Sequence, residues 1–188
     1  MPTDLGHKIV PLISERELRQ IVKRLADEIK GDFSSRLSYK KPLLLVGVLK
    51  GAVVFLSDLA RALDIPIAID FIAVSSYGSS TTSSGVVRIL NDLDTPIEDR
   101  QVIIVEDIVD TGLTLQYLRN HLRGRGPECL RVCSLLDKPE RREVEVQVDY
   151  CGKQVPNEFL VGYGLDLDEL YRNLPFVGVV KQQSEGGS

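Results

Sequence analysis

The chain has 188 residues, 43% of them hydrophobic and 27% charged, with 23 Lys and Arg against 27 Asp and Glu. That length suffices for one domain with a full core. The net charge of −4 argues against nucleic acid as the main partner, because gripping a phosphate backbone needs a basic surface.

Ser14-Glu15-Arg16-Glu17 is a capping box that should open a helix. Leu18, Ile21, Val22, Leu25 and Ile29 follow at helical spacing, and Gly31 is expected to end it. Residues 43–48 read as a continuous apolar strand, Leu49-Lys50-Gly51 as a short turn, residues 52–63 as a largely buried helix, and residues 67–74 as the next strand. Residues 75–85, SSYGSSTTSSG, are too rich in serine to pack a core and read as a mobile polar loop. Residues 86–90 form a short strand paired back across it. Strand 102–105, a loop and a helix carrying Leu115, Leu118 and Leu122 come next, broken at residues 124–127. Strand 130–136, an exposed strand at 144–148 and a final apolar strand at 159–163 complete the chain, with a disordered tail from residue 182.

Alternating strands and helices imply an α/β protein with a mostly parallel sheet. The first helix and the last forty or so residues fall outside that count, and are expected to form a separate cap over the strand ends. Apolar runs are too short to span a bilayer, and residues 1–11 carry His7 and Lys8 without an apolar signal core. The three cysteines, Cys129, Cys133 and Cys151, are odd in number and make no C-x-x-C. A cytoplasmic location is expected.

The chemistry concentrates in VIIVEDIVDTGLT, residues 102–114. An apolar run buried on both faces ends in Glu106 and Asp107, at the strand terminus where open α/β sheets bind ligands. Asp110, Thr111, Gly112, Leu113 and Thr114 then lead into the helix. Gly112 permits positive φ and close backbone approach, and the two threonines add hydroxyls beside free helix-start amides, which together make an anion nest. Acids beside such a nest would repel a bare phosphate, but suit a sugar phosphate whose carbon becomes electron-poor, or a magnesium ion.

This segment resembles the phosphoribosyl-pyrophosphate signature of the type I phosphoribosyltransferases, and its E-D-I-V-D-T-G-x-T form resembles the hypoxanthine-guanine branch. The resemblance implies a Rossmann-like open, twisted sheet flanked by helices, with a small hood from the N- and C-terminal segments and a flexible lid loop. It implies a single domain over residues 1–188, with its core at about 40–150, hood at about 1–15 and 150–181, and tail at 182–188. The implied activity is purine salvage: transfer of the phosphoribosyl group from phosphoribosyl pyrophosphate to N9 of hypoxanthine and guanine, giving IMP, GMP and pyrophosphate. Glu106 and Asp107 would meet the ribose hydroxyls and Mg2+, Asp110 would exchange a proton with purine N7, and Thr111, Gly112, Leu113 and Thr114 would hold the 5′-phosphate.

Other positions fit the same family. Lys50 and Gly51 would offer amides to the pyrophosphate, and Ser76 and Tyr77 would belong to a lid excluding water. Lys138, in Leu136-Asp137-Lys138-Pro139, would donate to the purine O6; a donor-only ammonium suits a 6-oxopurine and meets another donor in adenine. Phe159 would stack on the base, with Leu160 near its 2-position. Asp166 would face the metal, and Arg172 would clamp the pyrophosphate. Lys153 stands where an aromatic is expected, and Asn157 where aspartate is common. A homodimer or homotetramer is implied by analogy, with no nucleic-acid or membrane partner. A haloacid dehalogenase-type phosphatase would need D-x-D, but Asp107 and Asp110 are three apart. An RNA-binding regulator on the same fold would want a basic face and no acid at position 110.

Overall fold

The computed structural model describes residues 7–76 and 87–182. Its larger sheet contains parallel strands β2 (Leu43–Leu49), β3 (Ile67–Ser76), β5 (Gln101–Val109), β6 (Cys129–Asp137) and β7 (Tyr150–Gln154), with β4 (Val87–Asn91) antiparallel along one edge. The six strands run in the order β4-β3-β2-β5-β6-β7. Continuous apolar runs arise because the central strands are covered on both faces. Leu43, Leu45, Ile103 and Val105 share a core with α1 (Glu15–Phe33) and α2 (Val53–Ala62). Leu44, Val46, Val102 and Ile104 share the opposite core with α3 (Leu113–Arg123).

The Ser14 hydroxyl caps α1 by accepting from Glu17 N at 3.3 Å. The helix does not stop at Gly31 as expected but runs to Phe33, whose ring is fully buried. Glycine inside a helix costs about 1 kcal/mol, less than the roughly 1.5–3 kcal/mol that burying a phenylalanine side chain contributes. Nor does α1 cap the strand ends; it packs on the large sheet beside α2.

A second, antiparallel sheet is built from the chain's two ends: β1 (His7–Ile13), β9 (Val177–Gln182) and β8 (Leu160–Val161), in the order β1-β9-β8. This is the hood. Its strand β9 occupies a stretch for which no strand was expected and includes Gln182, where the tail was expected to begin. The strand expected at 159–163 shrinks to β8, because Gly162 and Leu165 bridge across a tight turn. The large sheet takes in β7 up to Gln154, beyond the core limit near 150 drawn from sequence.

Residues 144–148 form no strand. Their apolar alternation reflects Val146 and Val148 packing on the α3-side core, while Arg119 donates to Gln147 O at 2.9 Å. β5 is longer than expected: it continues through both acids to Val109, with Glu106 opposite Ser134 and Ile108 opposite Leu136 on β6. β3 and β4 pair across the serine-rich stretch, but residues 77–86 themselves, including Tyr77, lie outside the described residues. No helix among the described residues is long and apolar enough to cross a membrane.

Candidate active site

The turn from β5 into α3 has open amides on one side and a fixed back on the other. Gly112 sits at the helix N-cap with φ of 88° and no capping side chain, and its carbonyl accepts from Gln116 N at 2.8 Å. The contact from Leu113 N to Thr111 Oγ1 is long, at 3.4 Å, so it leaves the helix-start amides weakly engaged. Behind the turn, Thr111 O accepts from Glu143 N at 2.9 Å and Val144 N at 3.3 Å. A cavity of about 190 Å³ opens on this turn, lined by Glu106, Asp110, Thr111, Gly112 and Thr114 among others. Unpaired amides at a helix start favour an anion there.

Because the strand persists through the acids, consecutive side chains leave opposite faces of the sheet. Glu106 lines the small cavity, while Asp107 lines a larger one of about 670 Å³. Sequence placed the two together; the structure divides them. Glu106 is only 6% exposed. Burial, then the charge of Asp107, hold its carboxyl well above the usual range. Burial likewise pushes Asp107 up to about 6, with Asp166 repelling it and Arg172 and the Ile108 amide opposing the rise. Ile108 N donates to Asp107 Oδ1 at 2.9 Å.

The turn after β2 is shaped around Asp107. A methyl group at Gly51 would lie 1.7 Å from Asp107 Oδ2, so glycine is what lets that carboxylate seat against the turn. The preceding Leu49–Lys50 peptide is cis. From the other side Gly164, at φ of 105°, approaches so closely that a Cβ would stand 2.1 Å from Gly51 O. The β2 turn thus meets the loop after β8 through backbone and the Asp107 side chain on its other side.

The larger cavity is also lined by Asp110, Lys138, Arg141, Asn157, Phe159, Leu160 and Asp166. Lys138 is 7% exposed and its Nζ donates to Glu158 O at 2.8 Å, 4.0 Å from Asp110 Oδ2. Burial lowers its pKa, and the Asp110 charge opposes that. Phe159 is 54% exposed, with its backbone held by Val180 N at 2.9 Å. An exposed aromatic anchored by the hood sheet is placed to cover a flat ligand. Leu160 is buried beside it in β8. Arg141 Nε lies 2.8 Å from Asp110 Oδ1 but off the hydrogen-bonding direction, leaving that oxygen without an aligned donor among the described residues.

Arg172 Nη1 donates to Gly164 O at 2.8 Å and pairs with Asp166 at 2.9 Å, while Nη2 reaches Glu169 at 3.2 Å. Lys50 Nζ donates to both oxygens of Glu169, at 3.1 and 3.0 Å. Ser76 ends β3. Lys153 faces α1, pairing with Glu17, and does not line the larger cavity; Asn157 does. Sequence reasoning missed Glu169, Arg141 and Arg142. Arg142 pairs with Asp137 and donates to Asp110 O. The run of charge in Lys138-Pro139-Glu140-Arg141-Arg142 was the available signal.

A mostly parallel sheet with a helix-start anion nest at one strand end, buried acids beside it, and a second pocket carrying a cation and an aromatic has the parts that a transferase joining a sugar phosphate to a flat base requires. The model of the phosphoribosyl transferase domain matches residues 14–168. The hypoxanthine-guanine phosphoribosyltransferase of Streptococcus mutans is 51% identical over 171 residues, covering 91% of this chain and 92% of that one. The Mycobacterium tuberculosis enzyme of the same name is 49% identical over 170 residues, covering 90% and 84%. A crystal structure of a Bacillus anthracis hypoxanthine-guanine phosphoribosyltransferase superposes with a TM-score of 0.86 at 46% identity, covering 93% of this chain and 100% of that one. The chain belongs to the type I phosphoribosyltransferase family, in its hypoxanthine-guanine branch, whose work is purine salvage.

Proposed function

We propose that this enzyme transfers the 5-phosphoribosyl group from phosphoribosyl pyrophosphate to N9 of hypoxanthine or guanine, giving IMP or GMP and pyrophosphate. The observation that carries the reading is the junction of the two cavities at Asp110, which lines both. One cavity suits a sugar phosphate and the other a 6-oxopurine, and the acid between them is the group needed at their shared bond.

The 5′-phosphate occupies the amides and hydroxyls from Thr111 through Thr114. Glu106 meets the ribose from the small cavity. Two buried acids with raised pKa values are costly to keep ionised, so positive charge growing on the anomeric carbon stabilises them as they stabilise it. Asp110 accepts the N7 proton as N9 attacks. Its Oδ1, close to Arg141 yet unaligned with it, supports that role. Lys138 donates to O6, Phe159 stacks on the ring, and the Leu160 backbone meets the 2-position. Lys50 and Gly51 and the Arg172 guanidinium receive the pyrophosphate, with Ser76 and Tyr77 in the lid.

Magnesium suits this donor set. Asp107 and Asp166 line one cavity, burial and then the charge of Asp166 make Asp107 costly to ionise, and hard carboxylate oxygens are what the ion takes. No cluster of three or more His, Cys, Asp or Glu ligands is found among the described residues; Asp107 and Asp166 would hold the ion. Glu106, also expected at the metal, faces the other cavity. When bound, magnesium neutralises charge on the departing pyrophosphate.

The three cysteines are free thiols, which supports a cytoplasmic location. We take the whole chain as one domain and its assembly as a homodimer or homotetramer. A spectrophotometric assay with hypoxanthine, guanine, xanthine and adenine, with and without magnesium, tests the reading. Turnover of the first two only with magnesium is expected; equal turnover of adenine would contradict the role of Lys138.

A further inference from the structure

Lys50, whose amide is assigned to the pyrophosphate and whose Nζ lies at the same turn, and Arg172 both hold a carboxylate with their side chains. Glu169 receives Lys50 Nζ on both oxygens, at 3.1 and 3.0 Å, and Arg172 Nη2 at 3.2 Å. One anion thus joins the turn after β2 to the loop after β8. Those loops also meet through glycine backbone at Gly51 and Gly164.

The way Glu169 is presented is unusual. Leu167 N and Leu170 O are 3.2 Å apart and Leu170 N and Leu167 O 3.0 Å, closing a two-residue turn around Asp168 and Glu169. Both central residues have positive φ, 51° and 67°. This is the geometry of a type I′ turn, in which Asn-Gly, Asp-Gly or Gly-Gly is the usual choice. A glutamate held left-handed is strained, and such outliers point to a role for the side chain. Asp166 Oδ2 fixes the turn by accepting from Glu169 N at 2.9 Å. The carboxylate itself stays in water, with its side chain 63% exposed, so nothing but two cations keeps it there.

We propose that Glu169 is a displaceable counter-anion: its carboxylate holds Lys50 and Arg172 together until the pyrophosphate of the substrate takes both cations from it. The inference rests on the reading that Lys50 and Arg172 receive pyrophosphate. It gives the site a preassembled clamp without long-range rearrangement. It also gives the product an exit route, since Glu169 returns to compete for the same cations as pyrophosphate departs. Lys50 and Glu169 are both exposed, so their contact is weak enough to exchange, and the half-buried Arg172 meets Glu169 at a long 3.2 Å. The cations lower the Glu169 pKa, Lys50 first and then Arg172, keeping the carboxylate ionised.

The test is calorimetric binding of inorganic pyrophosphate, in magnesium buffer, to the wild-type chain, Glu169→Gln and Glu169→Gly, with IMP as a second ligand. IMP carries no pyrophosphate. Glycine suits the turn's φ, so loss of fold cannot mask the result for that variant. Both variants should bind pyrophosphate about 3- to 10-fold tighter, the range set by removing two weak competing ion pairs, with IMP affinity unchanged. Their turnover should fall with KM for phosphoribosyl pyrophosphate, as release slows. Unchanged or weaker pyrophosphate binding in both variants would overturn the proposal. Arg172→Gln separates the two levels. If it weakens pyrophosphate while the Glu169 variants do nothing, only the counter-anion idea fails. If it too has no effect, the pyrophosphate reading of Arg172 fails and the proposal with it.

Discussion

Gly51→Ala offers a sharp test of the site geometry, because the added methyl is aimed at the Asp107 carboxylate. The added methyl would stand 1.7 Å from Asp107 Oδ2 and 2.6 Å from its Cγ, whereas contacts under 3.0 Å are essentially never seen for real Cβ atoms. The carboxylate or the turn must therefore yield by roughly 1.3 Å, counting from the closer contact alone. Rotating the carboxylate would break its 2.9 Å bond from Ile108 N; moving the turn would carry Lys50 away from the pyrophosphate position. A misplacement of about 1 Å can cost about 10²-fold in rate, or about 2.7 kcal/mol of transition-state stabilisation. Initial rates of IMP formation against phosphoribosyl pyrophosphate should show kcat/KM down about 100-fold, with overpacking lowering stability by about 1–3 kcal/mol in a thermal melt. Gly31→Ala is the matched control: nothing lies within 4 Å of its Cβ, so it should stabilise α1 by about 0.5–1 kcal/mol without touching activity. Wild-type kcat/KM in Gly51→Ala would refute the argument that the β2 turn is built around Asp107.

Asp110→Asn should lower kcat by about 10²- to 10⁴-fold, the usual range for a lost general base, with KM for phosphoribosyl pyrophosphate nearly intact; equal turnover would remove Asp110 from proton transfer. Lys138→Gln should depress kcat/KM for hypoxanthine and guanine while leaving the sugar's KM unchanged, read from two-substrate kinetics; an effect on the sugar instead would move Lys138 out of the base site. The folded pKa of Asp107 is raised, from the ordinary 3.8 to about 6. The native state therefore holds the proton over that interval when the unfolded chain has lost it, and stability falls as pH rises through about 4 to 6. Asp107→Asn should flatten that decline in magnesium-free melts and melt higher than wild type at pH 7 and above; a parallel decline in both proteins would place the titration elsewhere.

Much of this site was readable before any coordinates. The turn at residues 110–114 is contiguous, so its chemistry is written in five adjacent letters, and the central strands announce themselves because both faces are buried. The hood was harder. β8 has two residues and β9 six; β9 depends on pairing with β1 from the far end of the chain, and β8 in turn on pairing with β9. The separation of Glu106 from Asp107 depends on whether β5 ends before or after them. Hydrophobicity cannot tell, because the strand keeps its ladder to β6 after its apolar run has stopped. Glu169 was invisible for another reason. It is a lone surface glutamate whose partner Lys50 lies 119 residues away, and only the crossing of two loops gives it meaning. Lys153 looked like a blemish in the base pocket until β7 placed it against Glu17 of α1.

The central claim is that the helix-start amides after β5 grip the 5′-phosphate while Asp110 faces the purine. A crystal of the enzyme soaked with IMP and magnesium addresses it directly. Phosphate density within hydrogen-bonding reach of the amides at residues 111–114, with purine N7 beside Asp110 and O6 beside Lys138, is the expected result. An ordered IMP bound elsewhere, with that turn empty, would contradict it.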